Sequence, residues 1–498
     1  MNKTIISYKS VEYVDGVQTT SPVEKGNYVV YVRSSDDSRW FAWDYENWSI
    51  KDADMSLDYS VYFFKVDALF ESAEALVAAD NVTAGTLVGT KSYHAGVGRG
   101  AAIYEILKEK TEDAGVLELG GSSLFARVSP FTVNDEKIVT VDQFGAYGDG
   151  ERADHDSINA ALSFDRSNVV EFEAPVYLQT SNIILNRGDV RVNGKGAETH
   201  NRYDETYVLK DFTVTGSEDN IIKNVTIENL TIICTEKRGV GHLYSIRSHG
   251  LFLAAYVNGI TVRNCTFHVP PTDEGQPYRN SSCVTFGNYT MNITFENNKI
   301  LNFARSEGYS SALFFTPSIG VLMENVKVLN NYIEKSGHDE TIAFYHGIFN
   351  NITVENNTIY AHDELVGYTS HHAIGFGVWD CPTTVKNVTF SNNKLDVVSL
   401  NDAIMFSDVE NIKIFNNKIT LRNNSETEPV RYGVFRITYH KENYIKAGIP
   451  NPTQKNVEVY NNTVKVYNPT EVPMNYNCND GFDFHDNTFE YIPVNTDQ

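Results

Sequence analysis

The chain has 498 residues, 41 basic against 64 acidic, giving a formal charge of −23 with no basic cluster, so neither nucleic acid nor an anionic membrane surface is an expected partner. No apolar run approaches the roughly 18 residues of a membrane span, and the opening MNKTIISYKSVEY lacks the apolar core of a secretory signal. Five cysteines (Cys234, Cys265, Cys283, Cys381, Cys478) without metal-ligand spacing point to synthesis in a reducing cytoplasm, and no cofactor or metal is expected.

Residues 1–66 alternate apolar and polar in short runs, as in Asn27 to Val32 and Tyr59 to Phe64, with the turn cluster 34–38 between them, which predicts a small β-rich domain. Trp40, Trp43 and Trp48 are read as its core before a carbohydrate platform. In 67–135, Leu69, Phe70, Ala73, Leu76 and Val77 carry helical spacing, predicting a helix over 66–79, and a Gly-rich β-hairpin module follows from Gly85 to Val128. Gly96, Gly98 and Gly100 within it lack the βαβ setting and the acidic residue of a dinucleotide loop. In 136–165 a strand leads through the turn Phe144 to Gly150 into an amphipathic helix. There Asp154 or Asp156 is the expected N-cap and Ile158, Ala161 and Leu162 form the buried face.

From 166 to 498 the chain repeats. Nonamers such as NITFENNKI (from Asn292), NITVENNTI (from Asn351) and NIKIFNNKI (from Asn411) recur nine times between Asn224 and Phe489, starting 35, 33, 33, 26, 36, 24, 45 and 25 residues apart. Apolar residues fall at alternate positions, the strand period. The Asn pair closing each unit, as at Asn356-Asn357, suits a sharp corner because Asn tolerates the left-handed conformation. A second ladder precedes each corner: CVTF, ALFF, TIAF, AIGF, AIMF and YGVF end at Phe286, Phe315, Phe344, Phe376, Phe406 and Phe435, spaced 29, 29, 32, 30 and 29 residues. With about 30 residues per coil, like residues stack at roughly 4.8 Å. The expected fold is all-β: a right-handed parallel β-helix, a solenoid, behind small N-terminal β/α modules.

The segment VTVDQFGAYGDGERADHDSINAALSF (139–164) resembles the opening motif of the pectate-lyase-like β-helix superfamily, especially its phage tailspike members, and Gly85 to Val128 is similar to a hairpin module of tail fibres and tailspikes. The resemblance implies a strand, turn and helix that cap the first coil. It also implies a virion-borne homotrimeric receptor-binding spike, made in the host cytoplasm, joined to the phage tail or baseplate through its N-terminal domains and acting at the bacterial surface. Superfamily members include lyases, hydrolases and binders, so the reaction must be sought in aligned polar groups.

Four residues before each Phe stand Ser282, Ser311, Glu340, His372, Asp402 and Arg431, and one residue further back stand Ser281, Ser310, Asp339, His371, Asn401 and Val430. The strip turns acidic, basic and acidic over three coils. Glu340 and Asp402 would lie two coils, about 10 Å, apart at the backbone, near the range for an inverting glycosidase in which one carboxyl protonates the leaving oxygen and the other activates water. Asp339 is the next catalytic candidate. His371, His372, Arg431, Arg436, Tyr345 and Trp379 are candidate substrate contacts, the aromatics for sugar faces and the arginines for uronate or sialate carboxylates. The expected function is binding and cleavage of a capsular or exopolysaccharide, by glycosidic hydrolysis first. β-Elimination with a base such as His372 or Tyr439, and a fibre that grips glycan without cutting it, are the alternatives.

Overall fold

A computed structural model of the chain describes residues 12–14, 17–19, 26–33, 38–44, 60–201, 211–234, 251–269, 282–302, 311–336, 340–362, 372–377, 382–398, 402–422, 434–437, 441–448, 454–467, 474–475 and 480–492. The chain divides into two compact units, 1–179 with 190–198, and 180–189 with 199–498, a coarser division than the four segments expected from the sequence.

In the first unit, strands Ser38–Asp44 and Ser60–Val66 flank Asn27–Arg33 in an antiparallel sheet. Val29, Tyr31, Tyr62 and Val66 pack with Phe131, Ile138 and Val169 into a buried cluster. Trp40 and Trp43 fall on Ser38–Asp44, but their side chains, like Trp48, lie outside the described residues. The helix expected over 66–79 is mostly absent: Ala68–Phe70 is a strand, and the helix is limited to Ala73–Val77, capped by the Ser72 side chain accepting from Ala75 N at 3.2 Å. Leu69 and Phe70 joined the helical pattern by spacing, yet parallel pairing with Leu87–Thr90 claims their backbone. Tertiary pairing thus overrides a short periodic signal. The Gly-rich module is a five-stranded sheet that also contains Ala102–Leu107, Val116–Glu118 and Phe125–Ser129.

The turn after strand Glu136–Thr140 is built as expected, with a difference at its acid. Helix His155–Ser163 buries Ile158, Ala161 and Leu162, and Asp154 stands at its N-cap position without capping it. Its carboxylate instead accepts from Tyr147 N at 2.6 Å, Gly148 N at 3.3 Å and Leu178 N at 3.2 Å. These donors tie the loop to the neighbouring strand. Gly148 has φ 58°, and a Cβ there would lie 2.1 Å from the Ala174 Cβ, so this turn requires glycine.

The second unit is a right-handed parallel β-helix. One coil runs from a short strand such as Ile342–Phe344 through a long strand, Ile348–Glu355, around Asn356 and Asn357, and into Thr358–His362. Each strand pairs in parallel with its counterpart in the next coil, generating three stacked sheets. The alternate apolar positions point inward: Ile352, Val354, Ile412 and Ile414 are buried. The phenylalanines stack as expected, with Phe286–Phe315 centroids at 5.3 Å, Phe315–Phe344 at 4.6 Å, Phe344–Phe376 at 5.4 Å and Phe376–Phe406 at 5.7 Å. The ladder slips at its last step, where Phe435 pairs with Ile404 and Ile437 with Phe406.

Three Asn columns, not one, hold the coil. The sixth residue of each nonamer is left-handed (Asn330 φ 56°, Asn356 φ 58°, Asn392 φ 57°) and turns the corner. The seventh is buried and bonds along the axis: Asn331 N donates to Asn357 Oδ1 at 2.9 Å, Asn357 N to Asn393 Oδ1 at 2.9 Å and Asn393 N to Asn417 Oδ1 at 2.9 Å. The first residue of the nonamer is also left-handed (Asn325 φ 57°, Asn351 φ 59°), and the pairing skips it between Glu324↔Asn350 and Val326↔Ile352. The left-handed residue interrupts the long strand at the same position in each coil, and its amides form an outer ladder, Asn351 Nδ2 to Asn325 Oδ1 at 2.7 Å and Asn325 Nδ2 to Asn292 Oδ1 at 2.7 Å. Among the described residues no helix is long and apolar enough to cross a membrane.

Candidate active site

The Phe register places the polar strip. Because Ile342–Phe344, Ile374–Phe376 and Ile404–Phe406 pair without offset, Glu340, His372 and Asp402 come into file on three successive coils. Bonds just ahead of the strands, Thr341 N to His372 O at 3.1 Å and Ala373 N to Ala403 O at 2.8 Å, extend the register to them. The phenylalanines face the core, so the residue before each one faces outward. That outward column reads Phe314, Ala343, Gly375, Met405, Arg436.

Glu340 folds over this outer face, its Cγ and carboxyl carbon 3.0 and 3.5 Å from where a Cβ on Gly375 would lie. Tyr345, next after Phe344, donates its hydroxyl to Glu340 Oε2. His372 Nε2 lies 3.9 Å from Glu340 Oε1, and its Nδ1 lies 2.8 Å from Asp402 Oδ2. Arg436 Nη1 then lies 3.7 Å from Asp402 Oδ1. A continuous file, Tyr345–Glu340–His372–Asp402–Arg436, therefore runs along the solenoid axis.

Its burial is graded. Glu340, His372 and Asp402 are 1%, 4% and 0% exposed, so they are not the solvent-facing strand ends that a polar strip most simply suggests. Tyr345, Arg436 and Phe314 are half-buried and form the rim. Phe314 meets Tyr345 edge-on at 5.2 Å between centroids. Both Asp402 oxygens have ionic neighbours but no aligned hydrogen bond among the described residues. A buried carboxylate held that way is weak evidence for a stabilising role and a candidate for chemistry.

Among the candidates read from the sequence, Glu340, His372, Asp402, Tyr345 and Arg436 come together. Arg436 arrives through the slipped register of Phe435, next to Met405 and reaching back to Asp402, not through the four-residue count. Arg431, Asp339, His371 and Trp379 lie outside the described residues. Asp408, two residues after Phe406, accepts from Thr384 Oγ1 at 2.7 Å. Sequence reasoning passed over Phe314 and Gly375. Their signal is the third letter of each Phe tetrad, where ALFF carries an extra aromatic and AIGF the glycine.

No family model and no curated protein matches the sequence. Among solved structures, the enzymatically active domain of tailspike protein 2 of bacteriophage CBA120 aligns with 85% of this chain and 56% of its own, at 13% identity and TM-score 0.38. The tailspike protein of Acinetobacter baumannii phage AM24 covers 84% of this chain and 65% of its own, at 12% identity and TM-score 0.47. The A-module of the Azotobacter vinelandii mannuronan C-5 epimerase AlgE6 covers 72% of this chain and 99% of its own, at 15% identity and TM-score 0.41. The chain thus spans little more than half the length of that CBA120 domain, and these likenesses are of fold.

Proposed function

We propose that this chain binds and cleaves an anionic bacterial-surface polysaccharide by β-elimination, with Tyr345 as the group that exchanges protons with the sugar. The observation that carries the reading is the graded file: a half-buried hydroxyl at the rim, backed by a buried carboxylate, imidazole and carboxylate. In this scheme Tyr345 passes its proton to Glu340, which His372 and Asp402 back. The phenolate oxygen takes the proton from C5 of a uronate and delivers it to the O4 leaving oxygen. The C4–O4 bond breaks and C4=C5 forms, so atoms and protons balance without a co-reactant.

Hydrolysis by Glu340 and Asp402 fits the geometry less well. An inverting pair needs room for a water and the sugar between carboxyls roughly 6.5 to 9.5 Å apart. The His372 ring stands between them, 3.9 Å from one and 2.8 Å from the other. Arg436, three coils along from Tyr345 and so about 14 Å away at the backbone, suits a carboxylate on a neighbouring sugar.

The sequence resemblance of 139–164 supports the wider setting: a phage tailspike, trimeric, attached through its N-terminal part and acting at the cell surface. Incubating the protein with purified uronate-containing polysaccharides, while following chain length and the absorbance of unsaturated uronate, tests the chemistry. Shortening with absorbance is expected. Shortening without it returns the reading to hydrolysis, and binding without shortening leaves a glycan-gripping fibre.

A further inference from the structure

We infer that Gly375 is a positioning residue for Glu340, kept as glycine so that the carboxylate of one coil can lie across the outer face of the next. This deepens the proposed function and rests on its assignment of the Glu340 file. The outward column of the sheet of short strands carries Phe314, Ala343, Gly375, Met405 and Arg436, with the missing side chain one coil beyond Glu340.

The backbone does not account for the glycine. Gly375 is not among the positive-φ residues, whereas Gly377 two positions later has φ 84°. An alanine there is compatible with extended backbone. What a methyl group would meet is Glu340: Cγ at 3.0 Å and the carboxyl carbon at 3.5 Å, with Gly377 O at an ordinary 3.4 Å. Glu340 has little freedom to retreat. Its carboxylate is held by the Tyr345 hydroxyl on one side and faces the His372 ring on the other, and it is 1% exposed. Moving its Cγ by the few tenths of an ångström that a methyl demands shifts the oxygen that accepts from Tyr345. Proton transfer is sensitive to displacements of this size, with an ångström of misplacement worth up to about a hundredfold. The side chain nearest to the added methyl is that of Glu340, so the effect of the substitution reaches the reaction through Glu340.

A thermodynamic cycle tests this without depending on activity. Thermal midpoints are compared for the wild type, Gly375→Ala, Glu340→Ala and the double variant. Gly375→Ala is expected to lower the midpoint in the wild-type background and to cost nothing where Glu340 has been truncated. Equal losses in both backgrounds would overturn the inference. Should Gly375→Ala alone fail to fold, a folded double variant supports the inference and an unfolded one refutes it. On a polysaccharide that the wild type cleaves, Gly375→Ala is expected to lower kcat at least about tenfold with KM nearly unchanged. An unchanged kcat also counts against the inference. If the wild type cleaves nothing, the proposed function falls and the cycle alone decides the role of Gly375.

Discussion

Tyr345 and Arg436 reach the rim of the file from opposite ends, and their substitutions separate chemistry from binding. Tyr345→Phe keeps the ring contact with Phe314 and removes the hydroxyl given to Glu340. It is expected to lower kcat by about 10² to 10⁴ with little change in KM and to cost about 1–3 kcal/mol of stability because buried Glu340 loses a donor, measured by initial rates alongside a melting curve. Arg436→Gln removes the cation near Asp402 and is expected to raise KM on polyuronate more than it lowers kcat. A separate group of residues sets pH dependence in the first unit. There Glu173 is pushed up to about 8 by burial and the adjacent Asp142 charge, and Asp142 to about 6 by burial, although Tyr177 donates to Asp142 Oδ2 at 2.5 Å. Both carboxyls hold protons more tightly folded than unfolded. Their contribution is therefore complete below the ordinary carboxyl values, 3.8 for Asp142 and 4.5 for Glu173, and falls as pH rises toward about 8. Melting of the first unit is expected at progressively lower temperature across that interval, and Glu173→Gln should flatten the profile.

At the scale of the element, the two Asn residues of a corner do different work, so equivalent-looking substitutions differ in cost. Asn356 is needed for φ 58° and is exposed, so Asn356→Gly is expected to change stability little and Asn356→Val to cost about 1–2 kcal/mol. Asn357 is 1% exposed; it accepts from Asn331 N and donates to Val328 O at 2.9 Å. Asn357→Leu leaves both backbone groups buried without that partner, at about 1–3 kcal/mol each. Chemical denaturation of the three variants checks the order. The pairing of Asn letters was visible in the sequence. The division between a left-handed residue and a buried amide was not, because it depends on which side chain the neighbouring coil covers.

At the scale of the molecule, a solenoid converts sequence distance into a short axial step: Glu340 and Asp402, 62 residues apart by number, flank one imidazole. The proposed trimer predicts a sedimentation-equilibrium mass of three 55.9 kDa chains. A mass of one chain would remove the trimer and leave the file intact, since all five of its residues belong to one chain. The slip at Phe435 shows the limit of counting. A spacing of 29 residues suggested a further coil in phase, but the strand pairs two residues out, and that offset puts Arg436 beside Met405 with its guanidinium on Asp402.

The sequence by itself determined the coil: alternation set the strands, the Asn letters set the corners and the Phe tetrads set the register, because each is a local pattern whose period the backbone must obey. It also put Glu340, His372 and Asp402 on one line. Only the tertiary structure decided that the line is buried on the outer face of the sheet of short strands, that His372 separates the two carboxylates, and that a missing methyl at Gly375 makes room for Glu340. Those outcomes depend on side-chain direction and on which atoms of adjacent coils compete for the same space, and neither is written in the spacing of letters.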